Sequence, residues 1–113
     1  LSATPERHID QVFAALADPH RRRAVELLGQ LPRRAGELAT ALDLPPPALS
    51  RHLRVLKESG LVEESHPEFD ARVRIYALKH GAMSELKHWL AATETMWATQ
   101  LAALKTHLES SSE

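Results

Sequence analysis

The sequence predicts a mostly α-helical fold with one small β-hairpin: four helices, two strands and a long final helix. Three observations carry this prediction. Apolar residues recur at helical spacing in successive stretches of the chain. One stretch, "ARVRIYAL" (Ala71 to Leu78), alternates instead, as a half-buried strand does. Prolines and glycines stand at the joints, among them Pro19, Pro32, Pro47 and Gly60.

Thr4-Pro5-Glu6 reads as a helix start: a hydroxyl cap, proline at the first position, an acid in the first turn. Ile9, Val12, Phe13 and Leu16 follow at helical spacing, and the helix should end near Ala17. Asp18-Pro19 repeats the start signal. Val25, Leu27, Leu28 and Leu31 give the second helix its apolar face, and Pro32 stops it. A short third helix fits Ala35 to Leu42. The fourth begins at about Pro47, buries Leu49, Leu53 and Leu56, and ends at Gly60, a residue suited to a left-handed terminus. Leu61 and Val62 open the first strand, and "SHPEFDA" is the hairpin loop. The second strand sets Val73, Ile75 and Ala77 on one face, with Arg72, Arg74 and Tyr76 on the other. The last helix runs from about Met83 to Glu109. Its Leu86, Leu90, Thr93, Trp97, Leu101, Leu104 and Leu108 follow the alternating three-and-four spacing of a coiled-coil seam. Residues 110–113 read as a disordered tail. No repeat or linker interrupts the chain, so residues 1–113 are expected to form one domain.

Composition excludes several classes of protein. The chain has 113 residues, 43% hydrophobic and 26% charged, an ordinary globular balance that supports a modest core. It has no cysteine, so disulfides, thiolate metal sites and cysteine nucleophiles are ruled out. No apolar run is long enough to span a membrane. "LSATPERH" at the start lacks the pattern of a signal peptide, and the expected location is the cytoplasm. The net charge of −1 hides an asymmetry. Between His20 and Lys57 eight basic residues face three acidic ones, whereas from His80 onward two face four. A basic middle and an acidic end point to different partners.

Two short helices joined by a tight turn and followed by a two-stranded ribbon describe a winged helix-turn-helix. Four blocks carry a closer likeness: "ALADPHRRRAVELL" (Ala15 to Leu28), "GELATALDL" (Gly36 to Leu44), "PALSRHLRVLKESGLV" (Pro47 to Val62) and "RIYAL" (Arg74 to Leu78). In this order the chain resembles the ArsR/SmtB family of bacterial transcriptional regulators. The resemblance implies a homodimer of winged helix-turn-helix units joined through the first helix (residues 1–17) and the last (residues 83–109). The expected interface residues are Val12, Phe13, Leu16, Leu90, Trp97, Leu101, Leu104 and Leu108. The seam on the last helix supports that pairing independently.

If Leu49, Leu53 and Leu56 face inward, Ser50, Arg51, Arg54 and Lys57 face outward or sideways. A helix fits the major groove, where arginine can bond two guanine acceptors and serine a phosphate or a base. The resemblance places Ser50, Arg51 and His52 at the DNA surface. His52 also lies at the edge of the buried stripe and is equally readable as a packed histidine. Pro46 and Pro47, at the leading end, are counted with the DNA surface. The family usually has a Ser or Thr cap and a polar residue where this chain has Pro45 and Pro46. In the hairpin, Arg72 and Arg74 could reach phosphate or the minor groove. Glu63, Glu64, Glu68 and Asp70 nearby oppose this, so little is expected beyond Arg72. Arg21, Arg22 and Arg23 oppose the dipole of the second helix, and intramolecular ion pairs are expected to offset most of them. The bland reading of the fourth helix is a solvated basic face.

Many members of the family sense metals. The cysteine site on the third helix is absent. The family's set on the last helix, an Asp-x-His pair and a later His-x-x-Glu, matches Glu94-x-Met96 and His107-x-x-Ser110 here. Glu94 and His107 could still donate to nickel or zinc, whereas methionine and serine are poor ligands for such ions. The chain has seven histidines, but no His-x₃-His pair sits ready on one helical face.

The leading expectation is a homodimer that reads a palindromic double-stranded operator. Such occupancy blocks polymerase, which favours repression; activation stays open. Two alternatives remain: a nickel or zinc sensor with its site on the dimer helices, and a protein-interaction module that has lost base reading. No metalloprotease, phosphate-loop or nucleophile-elbow motif is present, so an enzyme is not expected.

Overall fold

The computed structural model describes residues 8–111. The helix start read at Thr4-Pro5-Glu6 lies outside them. The elements are α1 (His8–Leu16), α2 (Pro19–Gln30), β1 (Arg33–Arg34), α3 (Ala35–Leu42), α4 (Pro46–Glu58), β2 (Val62–Ser65), β3 (Ile75–Leu78) and α5 (Ser84–Ser111). The described residues fall into two compact units, divided between Ala82 and Met83.

The first unit is built on four helices and a small sheet. α2 packs against α1, α3, α4 and β3. Ile9, Val12 and Ala15 of α1, Leu27 and Leu28 of α2, Leu38 and Leu42 of α3, and Leu49, Leu53 and Leu56 of α4 make the core. Leu61 and Val62 at the start of the sheet close it. Full burial of each leucine contributes roughly 1.5–3 kcal/mol, which fixes the faces that α3 and α4 turn outward.

Two joints are set by backbone geometry. Asp43 ends α3 at φ +53, a left-handed conformation that aspartate tolerates. Gly60, at φ +80, turns the chain from α4 into β2. A Cβ there would also come within 3.0 Å of His8 Nε2. That imidazole donates to the carbonyl of Ser59 at 2.7 Å, so the turn is tied back to α1.

The sheet departs from the expected hairpin in two ways. It has a third strand, the two-residue β1, in the order β1-β3-β2 with all pairs antiparallel. β3 covers only the second half of Ala71–Leu78. Before it the backbone turns, with Asp70 N donating to Pro67 O and Val73 N to Asp70 O. Of the two faces of β3, the one carrying Tyr76 is buried: Tyr76 is 1% exposed, whereas Ile75 and Ala77 are half-buried. The phenol can be buried because its hydroxyl donates to Glu64 Oε1 at 3.0 Å.

α5 extends past the expected end at Glu109 and takes in Ser110 and Ser111. The Ser111 hydroxyl donates to His107 O at 2.9 Å, which satisfies a group in the last turn. No residue of α5 is buried, and Leu90, Trp97, Leu101, Leu104 and Leu108 are all more than half exposed.

Candidate nucleic-acid interface

α4 presents Ser50, Arg51, Arg54, Lys57 and Glu58 on its exposed side, because Leu49, Leu53 and Leu56 hold the opposite stripe in the core. Its leading end is unusual. A helix ordinarily begins with four N–H groups lacking partners inside the helix. Here Pro45, Pro46 and Pro47 have no N–H at all. The next donor, Ala48 N, is bonded to Pro45 O at 3.0 Å. Pro45 sits at the cap position, φ −65 and ψ 148, without a side-chain hydrogen bond, and nothing there needs one. The consequence is chemical. Helix N-termini commonly grip phosphate through such N–H groups, and this one has none to offer. Pro46 and Pro47 are exposed and can make only apolar contacts. Polar anchoring from α4 falls to its side chains.

A cleft of about 320 Å³ lies between α4 and the sheet, and it gathers Ser50, Arg54, Lys57 and Arg74. Glu64 and Tyr76 form its far wall. Lys57 Nζ donates to Glu64 Oε1 at 2.9 Å, so its charge is already paired. His66 Nε2 lies 3.3 Å from Glu64 Oε2. The hydrogen bond from Lys57 holds the Glu64 carboxyl below its ordinary range; burial opposes this and the Tyr76 hydroxyl adds to it. Burial, with Glu64 alongside, pushes the Tyr76 phenol up to about 12, so it stays a donor. Arg74 lies over the Tyr76 ring, 5.9 Å from its centroid.

The two wing arginines divide differently from the sequence expectation. Arg72 bonds Asp70 through Nε at 3.2 Å and through its backbone N at 3.0 Å. That hydrogen bonding keeps the Asp70 carboxyl below its ordinary range. Arg74, not Arg72, joins the α4 side chains at the cleft.

The arginines of α2 also find partners the sequence did not disclose. Arg21 donates to Ala15 O at 2.7 Å and to Ala14 O at 3.1 Å. Arg22 donates to Leu16 O at 2.8 Å and Ala17 O at 3.1 Å. Both cations therefore cap the carbonyl end of α1, where the dipole is negative. Only Arg23 makes the expected kind of ion pair, with Glu26 at 3.2 Å. Arg21 also places a guanidinium nitrogen 3.2 Å from His52 Nδ1. His52 is half-buried, and burial pushes its pKa down, against the pull of Asp18 and with the help of Arg21. It lies at the margin of the exposed face of α4.

On α5, Glu94 and His107 are exposed and thirteen positions apart. At 1.5 Å per residue they stand about 20 Å apart along one helix. Met96 and Ser110 occupy the other two positions of the family's set and are poor ligands for nickel or zinc, which leaves Glu94 and His107 as its two donors on each chain. On α1, Val12 is fully buried within its own chain, while Phe13 is 39% exposed and Leu16 half-buried.

A core-packed helix with an exposed Ser/Arg face, led by a stiff turn and flanked by a small sheet, defines a winged helix-turn-helix DNA-binding unit. Comparison with known proteins takes the assignment further. Residues 18–64 match the model described as "Bacterial regulatory protein, arsR family". The chain is 35% identical over 92 residues to the HTH-type transcriptional repressor SmtB of Mycobacterium tuberculosis, covering 76% of this chain and 68% of that protein. It is 48% identical over 56 residues to the HTH-type transcriptional regulator Rv2034 of the same organism, spanning about half (52%) of that protein's length. Among solved structures, an ArsR-like transcriptional regulator from Rhodococcus superposes with a TM-score of 0.78 at 31% identity, covering 91% of this chain and 92% of that one. The chain belongs to the ArsR/SmtB family. It is a DNA-binding transcriptional regulator and not an enzyme. Among the described residues, no helix is long and apolar enough to cross a membrane.

Proposed function

We propose that the chain acts as a homodimeric repressor that reads a two-fold symmetric operator in double-stranded DNA. The observation that carries this is the exposed face of α4, with Ser50, Arg51 and Arg54 free of acidic partners among the described residues and Arg74 beside them. Arg54 and Arg51 read base edges, Ser50 bonds phosphate or base, and Arg74 follows the backbone. Lys57 and Arg72 contribute charge but are already engaged by Glu64 and Asp70. The half-exposed leucines and Trp97 of α5 form the contact with a second copy, since large apolar patches on a soluble chain mark interaction surfaces. Two copies would then set their α4 helices roughly 34 Å apart, one turn of B-DNA. A protein seated on a promoter in this way blocks polymerase, and it works in the cytoplasm, where the bacterial chromosome lies.

Selection from a random duplex library at moderate salt tests the reading. The expected outcome is enrichment of a palindrome whose half-sites are about 10 base pairs apart. Recovery of no sequence above background would sink it and favour a protein-interaction module.

A further inference from the structure

Asp18, His20 and His52 come together where α2 begins and α4 passes. Each offers a donor atom, and these atoms all lie within 4.8 Å of one another. From this geometry we infer a site for a borderline divalent cation of the zinc or nickel class, held by one carboxylate and two imidazoles.

The chemistry of the three groups fits. Asp18 Oδ1 is occupied by the N–H groups of His20 and Arg21, at 2.8 and 3.2 Å, as the cap of α2. Those bonds fix the carboxylate, whose Oδ1 lies 3.8 Å from His20 Nδ1. Burial raises the Asp18 pKa, but the two backbone donors outweigh it and keep the group ionised. His52 is half-buried and offers an imidazole nitrogen to the cluster. The His20 and His52 rings stand 5.6 Å apart between centroids, tilted by 41°. Ligand atoms around a tetrahedral zinc with bonds of about 2.0–2.1 Å are about 3.4 Å apart. Closing the set therefore needs a shift of up to about 1.4 Å, and exposed His20 is the group able to make it. Water would complete the coordination. Imidazole and carboxylate together suit zinc and nickel better than magnesium or calcium, which prefer oxygen alone.

The site competes with Arg21. If the ion takes His52 Nδ1, it displaces the guanidinium 3.2 Å away. If it takes Nε2, the proton moves to Nδ1 and faces the guanidinium donor for donor, so that contact opens as well. Arg21 keeps its bonds to Ala14 and Ala15, and its cap on α1 survives. The ion thus replaces a guanidinium as the tie between α2 and the reading helix, one residue from Arg51. None of these residues belongs to the set on α5, so the two possibilities separate cleanly.

The test is titration of the metal-stripped full chain with Co²⁺, read by visible absorption, followed by competition with Zn²⁺ and Ni²⁺, all without DNA. The expected result is one ion per chain with ligand-field bands. His20→Ala should weaken binding by about tenfold or more, as should His52→Ala, while Glu94→Ala and His107→Ala leave it unchanged. His20 is exposed, so its variant tests the site without disturbing the core. Absence of binding, binding indifferent to His20→Ala, or loss of binding on His107→Ala would overturn the inference.

Discussion

Arg54 and Lys57 sit one turn apart on α4, yet they differ in their partners among the described residues. Lys57 is neutralised by Glu64 at 2.9 Å, whereas Arg54 lines the same cleft with no acid bonded to it. Arg54→Ala should therefore weaken operator binding by about 1–3 kcal/mol and relax the base preference at one position, as loss of an arginine–guanine pair does. Lys57→Ala should cost less and do so on any sequence. Fluorescence anisotropy on the selected site and on a scrambled one separates the two effects; equal losses would argue against the assignment. Glu64 bears on stability as well. It ties Lys57, Tyr76 and His66 together, and its folded-state pKa lies below its ordinary value of 4.5. The stability from a depressed carboxyl is full above the unfolded pKa and is lost as pH falls through the folded one. Melting temperature should fall as pH drops below about 4.5, and less steeply in Glu64→Gln. Identical slopes would place the acid sensitivity elsewhere. The sequence showed Ser50, Arg51 and Arg54 as outward because the leucine stripe forces it. It could not show that Arg21 and Arg22 cap α1, since that depends on how tightly Ala17-Asp18 folds the two helices back on each other. The nearness of Asp18 and His20 to His52 was hidden for the same reason: a search for spacing along one helix does not find ligands 32 positions apart.

At the scale of elements, the helices were legible and the sheet only partly so. The bounds expected for α3 are those found, and α4 begins one residue earlier than expected, at Pro46. Amphipathic spacing and proline punctuation suffice for such helices. β1 consists of two arginines that pair through backbone alone, with Tyr76 and Ile75, so no side-chain pattern announces it. Alternation in "ARVRIYAL" gave the right period but did not by itself say which face is buried; that is the face of Tyr76. An aromatic ring whose hydroxyl finds a carboxylate can outcompete smaller aliphatic residues for burial. The turn from α4 to β2 depends on Gly60, through both its positive φ and its approach to His8. Gly60→Ala should destabilise the chain by about 1 kcal/mol or more, seen as a lower urea midpoint. An unchanged midpoint would mean that the turn relaxes without strain. The three prolines before α4 now have a physical role. They remove the N–H groups that would need a cap and, with them, the phosphate grip that a helix end usually supplies.

For the whole molecule, the decisive feature is that α5 carries its apolar seam in the open. A 28-residue helix with no buried residue and six large apolar side chains more than half exposed offers the face that the proposed second copy would cover. Leu101→Glu should shift the protein toward monomer in sedimentation equilibrium, and a wild-type chain that sediments as a monomer would contradict the pairing. If the chain pairs as proposed, DNA reading and pairing are linked, because a monomer would contact one half-site and release fewer counterions. The most direct test of the account is the salt dependence of operator binding by wild type and by Arg51→Ala/Arg54→Ala, measured by anisotropy on the selected palindrome. The account predicts tight binding by wild type that falls steeply with salt, a large preference over scrambled DNA, and loss of that preference in the double variant. Retention of the full preference by the double variant would contradict it, because α4 would then not be the element that reads the sequence.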